Sequence, residues 1–307
     1  MQVLVLGAGG IGGYFGGRMA AAGVDVRFLV RPARAEVLTR SGLVIRSPLG
    51  DLDIPVEALT KPSVAFDAVV LACKSYDLDS AMDAIAPAVG ADTLILPLLN
   101  GIGHLDALDA RFGEEHVLGG LCHIGVTMAP SGEILHLNRL QRLTLGARTE
   151  QQRAGARRLH ELLARGGFEP VLSDVIMQEL WEKFVFLATY AGMTTLMRTT
   201  VGAISSTDEG DAITREMLDE CISVAAAEGY FPRPPARAEM IASLTDKRST
   251  GTASMLRDMT GNRQTEHDHI IGDMLVRARG AGLPAPLLRV SLANMQAYAA
   301  TRPDAGA

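Results

Sequence analysis

The feature that most constrains this chain is a strand-like apolar run, Val3-Leu4-Val5-Leu6, that leads directly into Gly7-Ala8-Gly9-Gly10-Ile11-Gly12. Glycines in the order G-x-G-x-x-G between a strand and a helix meet the physical demands of a dinucleotide pyrophosphate site. Gly7 permits the tight turn, Gly9 lets backbone approach phosphate, and Gly12 lets the helix pack on the strand, with Ala8, Gly10 and Ile11 completing the turn. Residues 11–22 are predicted to be helical, presenting N–H groups and the positive end of the helix dipole to the anion. Gly23 closes that helix and residues 24–30 alternate as a second strand, so a motif common by chance sits inside a βαβ unit.

At the end of the second strand, an NAD site usually places Asp or Glu on the ribose 2′-hydroxyl. This chain has Arg31 there, with Arg34 close behind. A carboxylate would repel a 2′-phosphate, whereas a guanidinium pairs with it through two charge-assisted hydrogen bonds. The position therefore points to NADP(H); the competing reading makes Arg31 a solvated loop cation.

With 307 residues and 48% apolar content, the chain can build two domain cores. A net charge of −6 and the lack of any Lys/Arg block argue against nucleic acid and membrane partners. Glycine or charge interrupts every apolar run, and the start shows no signal-peptide pattern, so a cytoplasmic protein is expected. Cys73, Cys122 and Cys221 are scattered and odd in number, which suits buried thiols in a reducing compartment rather than disulfides or zinc.

Residues 42–46 and 52–56 flank Gly50-Asp51 as a short hairpin. The apolar strand 67–73 ends at Lys74, and after a helix over 77–88 the strand 93–99 ends at Asn100-Gly101. Both tips lie at strand C-termini, where doubly wound sheets bind ligands. Short strands follow at 117–120, 126–128, 132–137 and 143–146, then a helix over 151–165 and a strand at 169–172. Beyond residue 175 only helices are expected, broken near Gly192, Gly202, 231–235 and 282–286. The predicted class is α/β: a Rossmann-like doubly wound domain over 1–174, then an all-α domain over 175–307 with residues 301–307 disordered by composition.

Lys183 stands in Trp181-Glu182-Lys183-Phe184-Val185-Phe186-Leu187. Such surroundings would exclude water and lower a lysine pKa toward neutrality, as a general acid requires; a snorkelling surface lysine is the alternative. Ser254-Met255-Leu256-Arg257-Asp258 and Gln264-Thr265-Glu266 form a second polar stretch. Glu266 would orient Lys183 or a substrate hydroxyl, or else be a solvated helix acid. The run Glu266-His267-Asp268-His269 lacks the i, i+3 or i+4 spacing of a helical metal pair, so no metal site is expected. No G-x-S-x-G recommends a serine hydrolase.

Taken together, Gly7-x-Gly9-x-x-Gly12, Arg31, Lys74, Asn100-Gly101, Lys183, Ser254-Met255-Leu256-x-Asp258 and Glu266 resemble the ketopantoate reductase (2-dehydropantoate 2-reductase) family over nearly the whole chain. The resemblance implies a Rossmann-like domain, a helical domain, and NADPH-dependent reduction of a 2-oxo acid in the cleft between them. It also implies roles: Lys183 as proton donor, Asn100 near nicotinamide and substrate, and Lys74 and Ile124 along the cofactor. Glu266 would assist cofactor or substrate binding, and Ser254 would bond the substrate, its carboxylate in particular.

The chain departs from that pattern where ketopantoate reducers typically carry Asn four and eight residues after the lysine; here stand Leu187 and Ala191. Val201 and Gly251 replace further asparagines, and Leu99 replaces a Gln before the Asn-Gly pair. Leu187 and Ala191 share a helix face with Lys183 and so join the substrate-binding set. Each amide lost from that set forgoes about 1–3 kcal/mol toward a polar substrate. The expected activity is reduction of ketopantoate to pantoate in pantothenate and coenzyme A biosynthesis. A reductase of another 2-oxo acid and a non-catalytic NADPH sensor are the alternatives, and a homodimer is one assembly compatible with each.

Overall fold

The N-terminal apolar run forms the central strand of a parallel sheet. In chain order the elements of the computed structural model begin with β1 (Val3–Leu6), α1 (Gly10–Ala21), β2 (Val26–Leu29), α2 (Pro32–Ser41), β3 (Leu43–Arg46), β4 (Leu52–Ile54) and β5 (Glu57–Leu59). They continue with β6 (Ala68–Leu71), α3 (Leu78–Ile85), β7 (Leu94–Pro97), α4 (Gly103–Phe112), β8 (Gly119–Met128), β9 (Ile134–Gly146), α5 (Arg153–Leu163) and β10 (Glu169–Leu172). Residues 1–302 are described, and the chain divides into two units, Met1–Leu99 with His104–Ile176, and Asn100–Gly103 with Met177–Ala307.

In the first unit the sheet order is β5-β2-β1-β6-β7, all parallel. Strand order reverses between β1 and β6, the switch point at which such sheets receive ligands. β6 and β7 are buried at every residue, as parallel strands covered on both faces must be. β5 has only three residues at the sheet edge, too short a pattern to stand out in the sequence.

The four short strands expected between 117 and 146 are instead two long ones. β8 and β9 pair antiparallel, with an irregularity between Ile124 and Val126 where the Gly125 N–H donates to Asn138 Oδ1 at 3.2 Å. They form a second sheet, β10-β9-β3-β4, with β8 on β9. The exposed residues in the middle of each strand broke the apolar pattern. Helix α1 packs between the two sheets. Side chains added at Gly12 and Gly16 would meet Val5 and Phe28, and those added at Gly13 and Gly17 would meet Ile134 and Leu43. Burial on both sides explains why Tyr14, Phe15 and Met19 are fully enclosed.

The second unit holds α6 (Ile176–Met197), α7 (Val201–Ser205), α8 (Gly210–Ala227), α9 (Pro234–Leu244), α10 (Ser254–Thr260), α11 (Asp273–Gly280) and α12 (Pro286–Thr301). The all-helical expectation holds, but the break expected at Gly192 does not, and the one expected at Gly202 falls just before it, at 198–200. Gly192 lies inside α6, where its bare Cα admits Met217 and Ser291, and Gly202 lies inside α7 against the carbonyls of Lys247 and Ser249. Thr301 ends α12, and the rest of the tail expected to be disordered, beyond Arg302, lies outside the described residues.

Beside Lys183, Glu182 is only 7% exposed. It accepts hydrogen bonds from the Arg233 backbone N–H at 2.9 Å, Arg233 Nε at 2.8 Å and Nη2 at 2.5 Å, and Gln178 Nε2 at 3.1 Å. Burial alone would raise its carboxyl, but the hydrogen bonds and charge of Arg233 hold it below the ordinary carboxylate range. A depressed folded pKa contributes stability that is present above the unfolded value of about 4.3 and lost as pH falls through the folded one. Glu182→Gln should therefore cost about 2 kcal/mol near neutrality. Urea unfolding followed by the single tryptophan, Trp181, should show this deficit shrinking as the pH drops below about 4.

Candidate active site

At the switch point of the parallel sheet, Gly7 has φ +92°, a conformation side chains rarely adopt, and it lies against the Ala72 carbonyl. A Cβ on Gly12 would strike the Gly7 carbonyl oxygen and lie 3.0 Å from Ala72 Cβ. Around Gly9 the situation is opposite, since nothing stands within 4 Å of where its Cβ would be. Gly9 is also the N-cap of α1 and offers no side-chain cap, which leaves the first N–H groups of the helix to a ligand. Bare backbone, open space and an uncapped helix start fit a pyrophosphate.

The remaining walls come from neighbouring strands. Lys74 and Cys73 are half-buried just past β6, on the turn whose Ala72 abuts Gly7. Ile124 is half-buried on β8. Across the irregularity, Val126 Cγ2 would lie 3.1 Å from a Cβ on Gly10. Val126 was not among the expected site residues, because only the strand pairing brings it to the glycine turn.

The two arginines after β2 differ in their duties. Arg31 is 79% exposed in its side chain and forms an ion pair with Asp77 at 2.9 Å. Arg34 is half-buried, and its Nη2 donates to the carbonyls of Ala8 and Gly132, both at 3.0 Å. Burial lowers the Arg34 pKa. Arg34 thus ties the glycine turn to the β8–β9 connection, and Arg31 is the guanidinium left facing solvent.

In the second unit, α6 buries Trp181 (2% exposed) and Phe184 (1%) on either side of a half-buried Lys183. The same accessible stripe continues through Phe186, Leu187 and Tyr190, all half-buried. Ala191, in contrast, is 2% exposed. Helical geometry explains the difference: at about 100° per residue, the seventh residue on lies about 20° from Lys183 and the eighth about 80°. Tyr190 was absent from the expected set, although a count in steps of 3.6 rather than four reaches it.

Asn100-Gly101 belongs to this unit as well. The His269 ring donates to the Asn100 backbone carbonyl, and a Cβ on Gly101, φ +81°, would lie 3.1 Å from His269 Cδ2. Burial holds the His269 imidazole below the ordinary histidine range, against the opposing pull of Asp273 and Glu266. His269 rides on a π-turn, Asp268–Gly272, that feeds α11. Glu266, just before it, is 8% exposed and so is not a solvated acid. Ser254, the first residue of α10, is exposed. Among the described residues no group of three His, Cys, Asp or Glu side chains could hold a metal ion, and no helix is long and apolar enough to cross a membrane.

A parallel sheet with a glycine turn at its switch point, followed by a helical unit, is the architecture of dinucleotide-dependent oxidoreductases. Residues 3–150 match the family described as ketopantoate reductase PanE/ApbA, and residues 175–299 match its C-terminal counterpart. The chain belongs to the ketopantoate reductase family, whose members use a nicotinamide cofactor. It is 36% identical to the uncharacterized oxidoreductase YkpB of Bacillus subtilis, across 98% of this chain and 100% of that one. A PanE/ApbA family ketopantoate reductase from Ralstonia eutropha superposes with a TM-score of 0.88 at 26% identity, covering 98% and 99% of the two chains. D-mandelate dehydrogenase in a ternary structure with NADH and anilino(oxo)acetate shares the fold, with a TM-score of 0.87 at 21% identity over 97% and 98% of the chains.

Proposed function

We propose that this protein reduces a 2-oxo acid to the 2-hydroxy acid with NADPH as reductant, with Lys183 as proton donor. Conversion of ketopantoate to pantoate, a cytoplasmic biosynthetic step, is the family reaction against which its substrate range is to be measured. The observation that carries this reading is Lys183, half-buried on an accessible stripe it shares with Phe186, Leu187 and Tyr190 in the middle of α6.

When bound, NADPH supplies a hydride to the carbonyl carbon. The chain supplies the rest. The glycine turn and Lys74 hold the phosphates, and Arg31 takes the 2′-phosphate. The Lys183 ammonium donates a hydrogen bond to the carbonyl oxygen and yields its proton as the C=O electron pair moves onto that oxygen. The half-buried position of Lys183 beside Leu187 limits water around it, which strengthens this bond. One hydride and one proton convert ketone to alcohol, and Lys183 regains its proton from solvent. His269 steadies the Asn100 backbone so that the amide is pre-positioned for the substrate, while Ser254 offers a hydroxyl to the carboxylate and Glu266 assists binding.

The test follows loss of NADPH absorbance with ketopantoate and a panel of other 2-oxo acids, with NADH as control. Turnover of at least one 2-oxo acid, faster with NADPH than NADH by about tenfold or more, is expected. Tight NADPH binding without turnover of any member of the panel would favour a sensor.

A further inference from the structure

The accessible stripe of α6 is built around a pair of aromatic rings rather than around amides. The rings of Phe186 and Tyr190 stack with centroids 5.5 Å apart and planes 22° apart. Phe186 and Leu187 stand one helical turn beyond Lys183, about 5 Å along the axis, and Tyr190 two turns beyond it. One turn is comparable with the reach from a carbonyl oxygen bonded to the lysine to a ring attached at the carbonyl carbon, directly or through a methylene.

The hydroxyl end of Tyr190 is accommodated by a missing side chain. A Cβ on Gly251 would lie 2.8 Å from Tyr190 Oη, so any larger residue at 251 would displace the ring. Nearby polar groups are committed to backbone: Ser249 Oγ accepts from the Gly251 N–H at 3.2 Å, and Arg257 Nη1 donates to the Thr252 carbonyl at 2.7 Å. Burial raises the Tyr190 phenol above its ordinary pKa, with Arg257 opposing, so the ring stays neutral. A hydroxylated substituent laid along this stripe would leave its water partners and find no amide in exchange. A flat apolar substituent would gain buried area and ring contacts.

We infer that the preferred substrate is a 2-oxo acid bearing an aromatic substituent, which Phe186, Leu187 and Tyr190 receive beyond Lys183. This rests on the proposed reductase activity and names its substrate class. Phe186 and Tyr190 are then specificity-determining residues that choose the substituent without taking part in proton transfer.

The experiment compares kcat/KM of the full chain with NADPH for phenylglyoxylate and phenylpyruvate against ketopantoate and 2-oxobutyrate. At least one aryl acid should exceed both aliphatic acids by about tenfold. Tyr190→Leu keeps the site apolar but removes the ring stack. It should lower the aryl-to-aliphatic ratio by about tenfold, mainly through KM, as expected of a binding contact. Leu187→Asn, which introduces an amide, should move the ratio the same way by favouring ketopantoate. Ketopantoate or 2-oxobutyrate preferred over both aryl acids in the wild type would overturn the inference and leave the reductase activity standing. An unchanged ratio in a folded Tyr190→Leu protein, with its circular dichroism intact, would also overturn it. Failure to reduce any of the four acids would take down the reductase reading and the inference with it. Should Tyr190→Leu not fold, the wild-type ratio alone decides.

Discussion

Lys183→Ala is expected to lower kcat by two to four orders of magnitude while NADPH affinity stays within about twofold. The separation of the two effects follows from the fold. Lys183 is carried by α6 in the helical unit, and the glycine turn, Lys74 and Arg31 are all in the first unit. Removing the ammonium deletes the group that neutralises the developing alkoxide, an interaction stronger in the transition state than in the ground state, so the loss falls on kcat. Lys183→Met, which preserves side-chain length and apolar bulk, should lose as much, which separates charge from packing. Lys183→Arg should also be poor, because a guanidinium stays protonated at any working pH and is a weak acid. Single-turnover kinetics and a fluorescence titration of NADPH distinguish chemistry from binding. Wild-type kcat in Lys183→Ala would refute the proton-transfer role.

The first unit was legible where local and global demands coincide. The glycine turn, its helix and the buried strands β6 and β7 each carry a backbone or burial requirement that few residues meet, so their sequence pattern is sharp. β8 and β9 were not legible as two long strands. Exposed residues interrupt both, His123 in β8 and 137–140 in β9, so each reads as two apolar pieces although the turn at 129–133 that pairs them is local. The burial of α1 between two sheets was equally hidden, although a helix apolar on all sides signals enclosure.

The candidate site divides along the same line. Lys183 and Leu187 could be placed on one helix face from spacing alone, yet Tyr190 was passed over because intervals of four drift away from a 3.6-residue period. Gly192 and Gly202 suggested breaks because an isolated glycine weakens a helix, whereas here tertiary contacts from Met217, Ser291 and the carbonyls of Lys247 and Ser249 use the absent side chain. The His269 bond to Asn100 joins residues far apart in sequence and left no trace in the pattern around either. Nor did the sequence separate the duties of Arg31 and Arg34, since both are basic residues beside the same strand end.

Those two arginines carry the second large prediction. Arg31→Ala should weaken NADPH binding by about 10- to 100-fold and leave NADH binding nearly unchanged, because charge-assisted hydrogen bonds to a 2′-phosphate are worth about 1.5–3 kcal/mol. The present partner of Arg31 does not stand in the way. Its ion pair with Asp77 is largely exposed, with side-chain accessibilities of 79% and 36%, and such pairs contribute at most about 1 kcal/mol. A phosphate of nearly two charges competes successfully with one carboxylate. Asp77→Asn removes that competition and a like charge, so it should tighten NADPH by a few-fold at low ionic strength, with the gain fading as salt shortens the screening length to about 8 Å. Arg34→Ala provides the contrast. Its guanidinium holds the Ala8 and Gly132 carbonyls, so its loss should loosen the pyrophosphate turn and weaken NADPH and NADH alike. Isothermal titration of both dinucleotides against the three variants separates the cases. An NADPH-to-NADH affinity ratio unaltered by Arg31→Ala would return Arg31 to the status of a solvated loop cation and move the source of any NADPH preference elsewhere in the first unit.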